Sequence, residues 1–280
     1  MAEVRIGMNG AKSMNCDLAT EISIIGALKY DCIELRDWTL ADYLKEHDVG
    51  ELRALLENAN LPPLTINAIE PTTLGPGPDR ERLIETADWR LRVAAAIACP
   101  YVVANCWGVS DGLSADEGKR QVVEGLKFVS DIASDYGVKI AYEPLGSKDS
   151  PVHTIADTMD MLRQVNRENV GWLFDVYHFH VVDGSLEALA KSDIEKLFLV
   201  HIDDVKDGPY ESLAIPASER LLPGDGVSAL PEILATLHRA GYRGPFSVEM
   251  FNEEFLAWDP YQFAKTAKEK TVAVIDKYFR

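Results

Sequence analysis

Short runs rich in Val, Ile, Leu and Phe alternate with longer stretches of helical period from one end of the chain to the other. No other feature narrows the possible folds as far. The strand-like runs are Val4–Asn9, Tyr30–Arg36, Leu64–Ile69, Tyr101–Trp107, Val138–Glu143, Val170–Asp175, Lys196–Ile202 and Pro245–Phe251. Helical stripes lie between them: Leu83, Ala87, Leu91, Ala94 and Ala98 trace one, and Val122, Leu126, Val129, Ala133 and Tyr136 another. The second stripe is preceded by Ser114-x-x-Glu117, a capping box, and followed by Gly137, a residue suited to a helix end. Asp259-Pro260 marks the start of a last helix that should bury Phe263, Ala267, Thr271, Val274 and Tyr278. Alternation of this kind demands a parallel sheet, because each return to the same edge needs a crossover helix. Eight such units in 280 residues suit one closed (β/α)8 TIM barrel spanning residues 1–280 better than an open sheet. The GxGxxG turn of a dinucleotide-binding domain is also missing after the first strand. Segments such as Thr72–Pro78 read as loops inside that single domain.

Charge and composition remove several functional classes. The formal net charge is −17, with Lys and Arg scattered among acids, so a nucleic-acid partner is not expected. No apolar run is long enough to span a bilayer, and the amino terminus reads as a strand rather than a signal peptide. The four cysteines form no CxxC pair or disulfide framework, which points to a reducing cytoplasm. Oligomeric state stays open, a homo-oligomer included.

In a (β/α)8 enzyme the chemistry sits at the carboxyl ends of the strands. Those ends carry Asn9, Arg36 and Asp37, Asn67, Asn105 and Trp107, Glu143, Asp175, His201 and Glu249. Four stand out because an apolar run leads straight into an ionisable group: Val138–Glu143, Val170–Asp175, Leu197–His201 and Phe246–Glu249. They close the last four strands, so they are neighbours around the barrel mouth. Three carboxylates and an imidazole converging there would repel one another without a cation between them. Oxygen-rich ligation with one nitrogen suits one divalent ion, Mn²⁺ first, with Mg²⁺, Zn²⁺ or Co²⁺ as alternatives. His178 either supports a ligand or touches substrate. Cys106 reads as a small buried hydrophobe, and Glu34 could point into the barrel but is given no role.

At these residues the sequence resembles the xylose-isomerase-like superfamily of sugar isomerases and epimerases. The pattern is Glu143 … Asp175-x-x-His178 … His201 … Glu249. Within it the chain looks most like the inosose (2-keto-myo-inositol) isomerases, through Gly137–Glu143, Val165–Gly171, Asp175–His180, His201–Asp204, Pro223–Gly226 and Lys277–Phe279. The resemblance implies that Glu143, Asp175, His201 and Glu249 hold the metal and that His178 and Arg220 contact substrate oxygens. It further implies isomerisation of a cyclic polyol ketone in inositol or sugar catabolism. Ketose 3-epimerases of the superfamily carry a Glu six residues after the first metal ligand, where this chain has Asp149. The related apurinic-site endonucleases need further histidines at the early strand ends, which this chain lacks.

The chemistry then expected is proton transfer next to a carbonyl. A hydroxy-ketone chelated through both oxygens has an acidified α-proton, and Glu143 and Glu249 are the pair expected to move it through a cis-enediolate. Asn67 and Trp107 are added as substrate contacts, with Trp38 and Trp258 as further candidate walls. The alternatives are a ketose 3-epimerase, a dehydratase of inosose or 3-dehydroshikimate on the same site, and a non-catalytic carbohydrate binder.

Overall fold

Side chains along a strand alternate between its two faces, and that period of two sorts the core into two layers. Cys32, Val103, Ala141, Leu173 and Leu199 belong to one buried cluster made of strand residues. Their sequence neighbours Ile33, Val102, Ile140, Val200 and others join helix residues such as Leu52, Leu91, Leu126 and Phe263 in a second, larger cluster. The first is the barrel interior and the second is the layer between barrel and helices.

The computed structural model describes residues 4–10, 13–69, 78–108, 113–147, 149–209 and 220–279. The strands in chain order are β1 (Ile6–Asn9), β2 (Cys32–Arg36), β3 (Pro63–Ile69), β4 (Tyr101–Asn105), β5 (Lys139–Glu143), β6 (Val170–Asp175), β7 (Leu197–Ile202), β8 (Asp204–Val205), β9 (Arg220–Leu221) and β10 (Phe246–Glu249). All but β8 and β9 close a barrel in the order β1-β10-β7-β6-β5-β4-β3-β2, every pairing parallel. The expected (β/α)8 barrel is therefore the observed one. Among the described residues no helix is long and apolar enough to cross a membrane.

Several expected boundaries shift. The fourth strand stops at Asn105 rather than Trp107, and the last ends at Glu249, so both polar groups stand at the strand terminus. Lys196 belongs to a 3₁₀ turn, Ile194–Lys196, ahead of β7. Two helices rather than one follow β2, α2 (Asp37–Tyr43) and α3 (Val49–Asn58), whereas β1 is followed by α1 (Leu18–Ala27) alone. After β3 comes α4 (Pro78–Ala96). Ala98 is exposed beyond it and adopts φ +57°, so it leaves the stripe to which its spacing assigned it. Of the expected loop Thr72–Pro78, residues 72–77 lie outside the described residues and Pro78 opens the helix.

The helix α5 (Ala115–Tyr136) has both capping-box bonds between Ser114 and Glu117 and ends at Gly137 with φ +69°, a left-handed conformation that glycine adopts without steric penalty. After β5 comes α6 (Ile155–Val165); β6 is followed by α7 (Val176–Val181) and α8 (Leu186–Ala190), and α9 (Leu230–Arg239) precedes β10. The final helix, α10 (Pro260–Tyr278), starts as expected at the Asp259 cap. Tyr278 is only half-buried.

The antiparallel pair β8–β9 was not foreseen. It leans on Asp204, whose Oδ1 accepts from the backbone of Val205 and Ser228 and from the Ser228 hydroxyl, at 2.9, 2.9 and 2.6 Å. Its Oδ2 accepts from Gly224 and Gly226 N–H at 3.1 and 2.9 Å. The Pro223–Gly226 turn is thus wrapped around one carboxylate, and a Cβ at Gly226 would collide with the Val205 carbonyl and lie 2.6 Å from Asp204 Oδ1. Replacing Asp204 by Ala strands these donors, and we expect a loss of about 3 kcal/mol or more in chemical denaturation of the metal-free protein. Asp204→Asn, which keeps one oxygen, should lose less.

Candidate metal centre

The strand register brings the polar ends to a common level. Asn9 lies opposite Glu249, Asn9 opposite Glu34, Arg36 opposite Asn67, Asn105 opposite Glu143 and Asp175 opposite His201. Three of them follow an interior apolar residue by two positions: Ala141-x-Glu143, Leu173-x-Asp175 and Leu199-x-His201. The alternation that packs the lower barrel therefore points the terminal polar groups inward as well.

One ligand atom from each of Glu143, Asp175, His201 and Glu249 lies within 4.8 Å of the other three, and all four residues are buried. The expected quartet is thus brought together. Its centre is His201 Nδ1, which stands 3.1 Å from Glu249 Oε2, 3.2 Å from Glu143 Oε1 and 3.4 Å from Asp175 Oδ2. A ring nitrogen carries one in-plane hydrogen or one lone pair, so it can satisfy only one of those oxygens. Around the cluster five buried carboxylates (Glu34, Glu143, Asp175, Asp203 and Glu249) face two guanidinium groups, Arg36 and Arg220. A divalent cation among the four ligand atoms would remove most of that excess charge, so these residues fit such an ion.

The two glutamates differ. Glu249 Oε1 accepts from Asn9 Nδ2 and Arg36 Nη1 at 3.0 Å each and from Asn67 Nδ2 at 3.4 Å. Burial opposes ionisation of Glu249, but His201, Arg220 and Arg36 overcome it and lower its pKa to about 2. Among the described residues only the His201 ring bonds to Glu143. Burial and the nearby Glu249 charge push the Glu143 carboxyl up to about 7. Asp175 is used at both ends: Oδ1 caps α7 at the His178 N–H, 2.8 Å away, while Oδ2 faces the cluster and accepts from Arg220 Nη1 at 2.7 Å.

Arg220 enters from β9 and is almost wholly buried. Besides Asp175 it pairs with Asp203 and with Glu249 Oε2, the latter at 3.3 Å. Its guanidinium lies over the Tyr177 ring and 3.5 Å from His178 Nε2. Burial lowers the His178 pKa to about 4, so the ring is neutral at pH 7. Asn67, expected as a substrate contact, donates from Nδ2 to Glu249 Oε1 at 3.4 Å. Trp107 is 46% exposed just past β4; Trp38 and Trp258 are likewise exposed, Trp38 stacking on Arg36. Asp149 is exposed.

Four participants were given no role from sequence: Asn9, Glu34, Arg36 and Asp203. Glu34 was visible there as the one acid inside the apolar stretch Cys32–Leu35, and Arg36 as a strand-end residue. Asp203 follows a ligand by two positions and so shares its side of the chain.

Comparison with known proteins agrees with this geometry. A family model described as "Xylose isomerase-like TIM barrel" matches residues 22–276. An inosose isomerase of Bacillus licheniformis is 35% identical over 267 residues, which cover 95% of this chain and 95% of that one. A 3-dehydroshikimate dehydratase of Pseudomonas aeruginosa is 28% identical over 88% of this chain but only 38% of its own length. A crystal structure of the IOLI protein with a bound zinc atom superposes with a TM-score of 0.93 at 30% identity, covering 99% of each chain.

Proposed function

Because the chain belongs to the xylose isomerase-like TIM barrel family, we propose that it is a divalent-metal-dependent isomerase acting on an inosose, a cyclic polyol ketone. The observation that carries this reading is the convergence of Glu143, Asp175, His201 and Glu249 within 4.8 Å at the barrel mouth. The likeness to inosose isomerase over nearly the whole chain supplies the substrate class. Mn²⁺ is the ion we propose, with Mg²⁺, Zn²⁺ or Co²⁺ able to use the same donors. Held by Glu143, Asp175, His201 and Glu249, such an ion would supply Lewis acidity, which would acidify the α-proton of the hydroxy-ketone.

The chain's own residues move the proton. Glu143, whose one bond among the described residues is to the His201 ring, is the carboxylate left free to take and return a proton. Glu249, held by Asn9, Arg36 and Asn67, is its opposed partner on the second carbon. The neutral His178 ring and the Arg220 guanidinium sit where the substrate oxygens would gather charge, Arg220 fixed by Asp175 and Asp203. Trp107, at the rim, forms a wall of the entrance. Asn67, beside Glu249, is a further substrate contact. The cysteines are all free, in keeping with work in a reducing cytoplasm. Homo-oligomerisation is compatible with this reading and not required by it.

The likeness to 3-dehydroshikimate dehydratase supports a second reading, because loss of a β-hydroxyl begins with the same proton abstraction. The 3-epimerase reading is weaker, since Asp149 is exposed where those enzymes use a Glu. Incubation with Mn²⁺ and inosose in D₂O, followed by NMR, separates the readings. An isomerase yields a product of unchanged composition apart from incorporated deuterium. A product lacking one water would transfer the protein to the dehydratase reading, and neither product nor exchange would end the catalytic one.

A further inference from the structure

His201 Nε2 points away from the ligand cluster and lies 3.1 and 3.2 Å from the two oxygens of Glu34. Glu34 and the His201 side chain are fully buried, so no solvent competes for this contact. Thr65 Oγ1 donates to Glu34 Oε2 at 2.6 Å, which fixes the carboxylate from the other side. A carboxylate can only accept, so the hydrogen of a neutral imidazole belongs on Nε2. The bare Nδ1 then faces the three carboxylate oxygens of Glu143, Asp175 and Glu249. Lone pairs opposed in that way need a cation between them: in the metal-free ring a proton on Nδ1, which the Glu249 and Glu34 charges favour against the opposing effect of burial, and in the loaded site a metal ion in its place. The contact spans β2 and β7, which are not neighbours in the barrel order; it therefore crosses the interior and does not serve strand pairing.

We propose that Glu34, itself held by Thr65, is a positioning residue that sets the His201 tautomer and ring orientation, so that Nδ1 is the metal-binding nitrogen. The proposal rests on the metal reading above and is independent of which reaction the site performs. A carboxylate on the far side of a ligating imidazole raises its basicity and removes its freedom to turn, and loss of such a partner costs about 10–100-fold in metal affinity. Glu34→Gln can still present a carbonyl oxygen to Nε2–H but lacks the charge, so its loss should fall between parent and Glu34→Ala.

The test uses Zn²⁺, which is diamagnetic, and does not need activity. Zinc affinity is measured by chelator competition for the parent, Glu34→Gln and Glu34→Ala, with circular dichroism and melting to show that each is folded. Protein labelled with ¹⁵N-histidine reports by NMR which ring nitrogen of His201 carries hydrogen in the zinc-loaded parent. The expected result is an Nε2–H tautomer with zinc on Nδ1, an affinity loss of about 10–100-fold in folded Glu34→Ala and a smaller loss in Glu34→Gln. If Glu34→Ala does not fold, the nearly isosteric Gln variant decides. Parent-like zinc affinity in the folded variants, or zinc on Nε2, overturns the role of Glu34 while leaving the metal reading intact. A parent that binds no zinc, nor any other divalent ion, overturns both.

Discussion

Glu143→Gln should retain its bound ion and lose about 10²–10⁴ of its turnover, the range typical for removal of a well-placed acid/base group. Gln keeps an oxygen for the metal and nearly the same volume, but it cannot carry the substrate's proton. In this protein the substitution also disturbs little else, because among the described residues only His201 bonds to that carboxylate. Glu249→Gln should lower turnover within the same range for a partly different reason. Its Oε1 is the meeting point of Asn9, Arg36 and Asn67, so a neutral amide leaves Arg36 without its partner. Deuterium exchange separates the roles. If the two carboxylates serve opposite carbons, each variant should exchange at one position without completing the isomerisation. Variants that both exchange and isomerise like the parent, measured at full metal occupancy, would remove the two-carboxylate mechanism.

His201→Ala and Asp175→Asn should lose the ion itself, each with a larger fall in affinity than the ~10–100-fold expected of an outer partner. His201→Ala removes the nitrogen at which the three ligand carboxylates converge. Asp175→Asn keeps the cap on α7, since an amide oxygen can still accept from the His178 N–H, but it then turns its NH2 toward the cluster and Arg220, so both the charge and the ligand oxygen are lost. The barrel should survive both changes. These groups stand at the strand ends, beyond the two apolar layers that hold the barrel together. Elemental analysis with a parallel unfolding curve checks the prediction. Folded variants that keep one ion per chain would show that these side chains are not the ligands, and full turnover by metal-free parent would remove the Lewis-acid argument.

Much of this protein was legible in one dimension because two short periods carry the information. The period of two within strands, and the alternation of strands with helices, are local properties that follow from backbone geometry. They identified the barrel and placed Glu143, Asp175, His201 and Glu249 at one rim, since strands that end at a common level end in a common place. Helix limits such as Ser114, Gly137 and Asp259 were equally local, because a cap bonds to backbone only a few residues away. Ala98 misled for the complementary reason: its spacing fits the stripe, but the chain has already turned there, with φ +57°.

What the tertiary structure decided is how the polar groups divide the work. Glu34 and His201 are 167 positions apart, and Arg36 and Glu249 are 213 apart. No periodicity links residues at such separations; only closure of the barrel sets which side chains cross the interior to meet. The same closure makes the two glutamates unequal, one enclosed by three donors and the other left to His201. It also delivers Arg220 through the β8–β9 pair that Asp204 holds in place. Sequence alone determined which groups stand at the mouth, because that depends on local geometry; their partners and ionisation depend on distances across a buried, low-dielectric interior, which exist only once the barrel has closed.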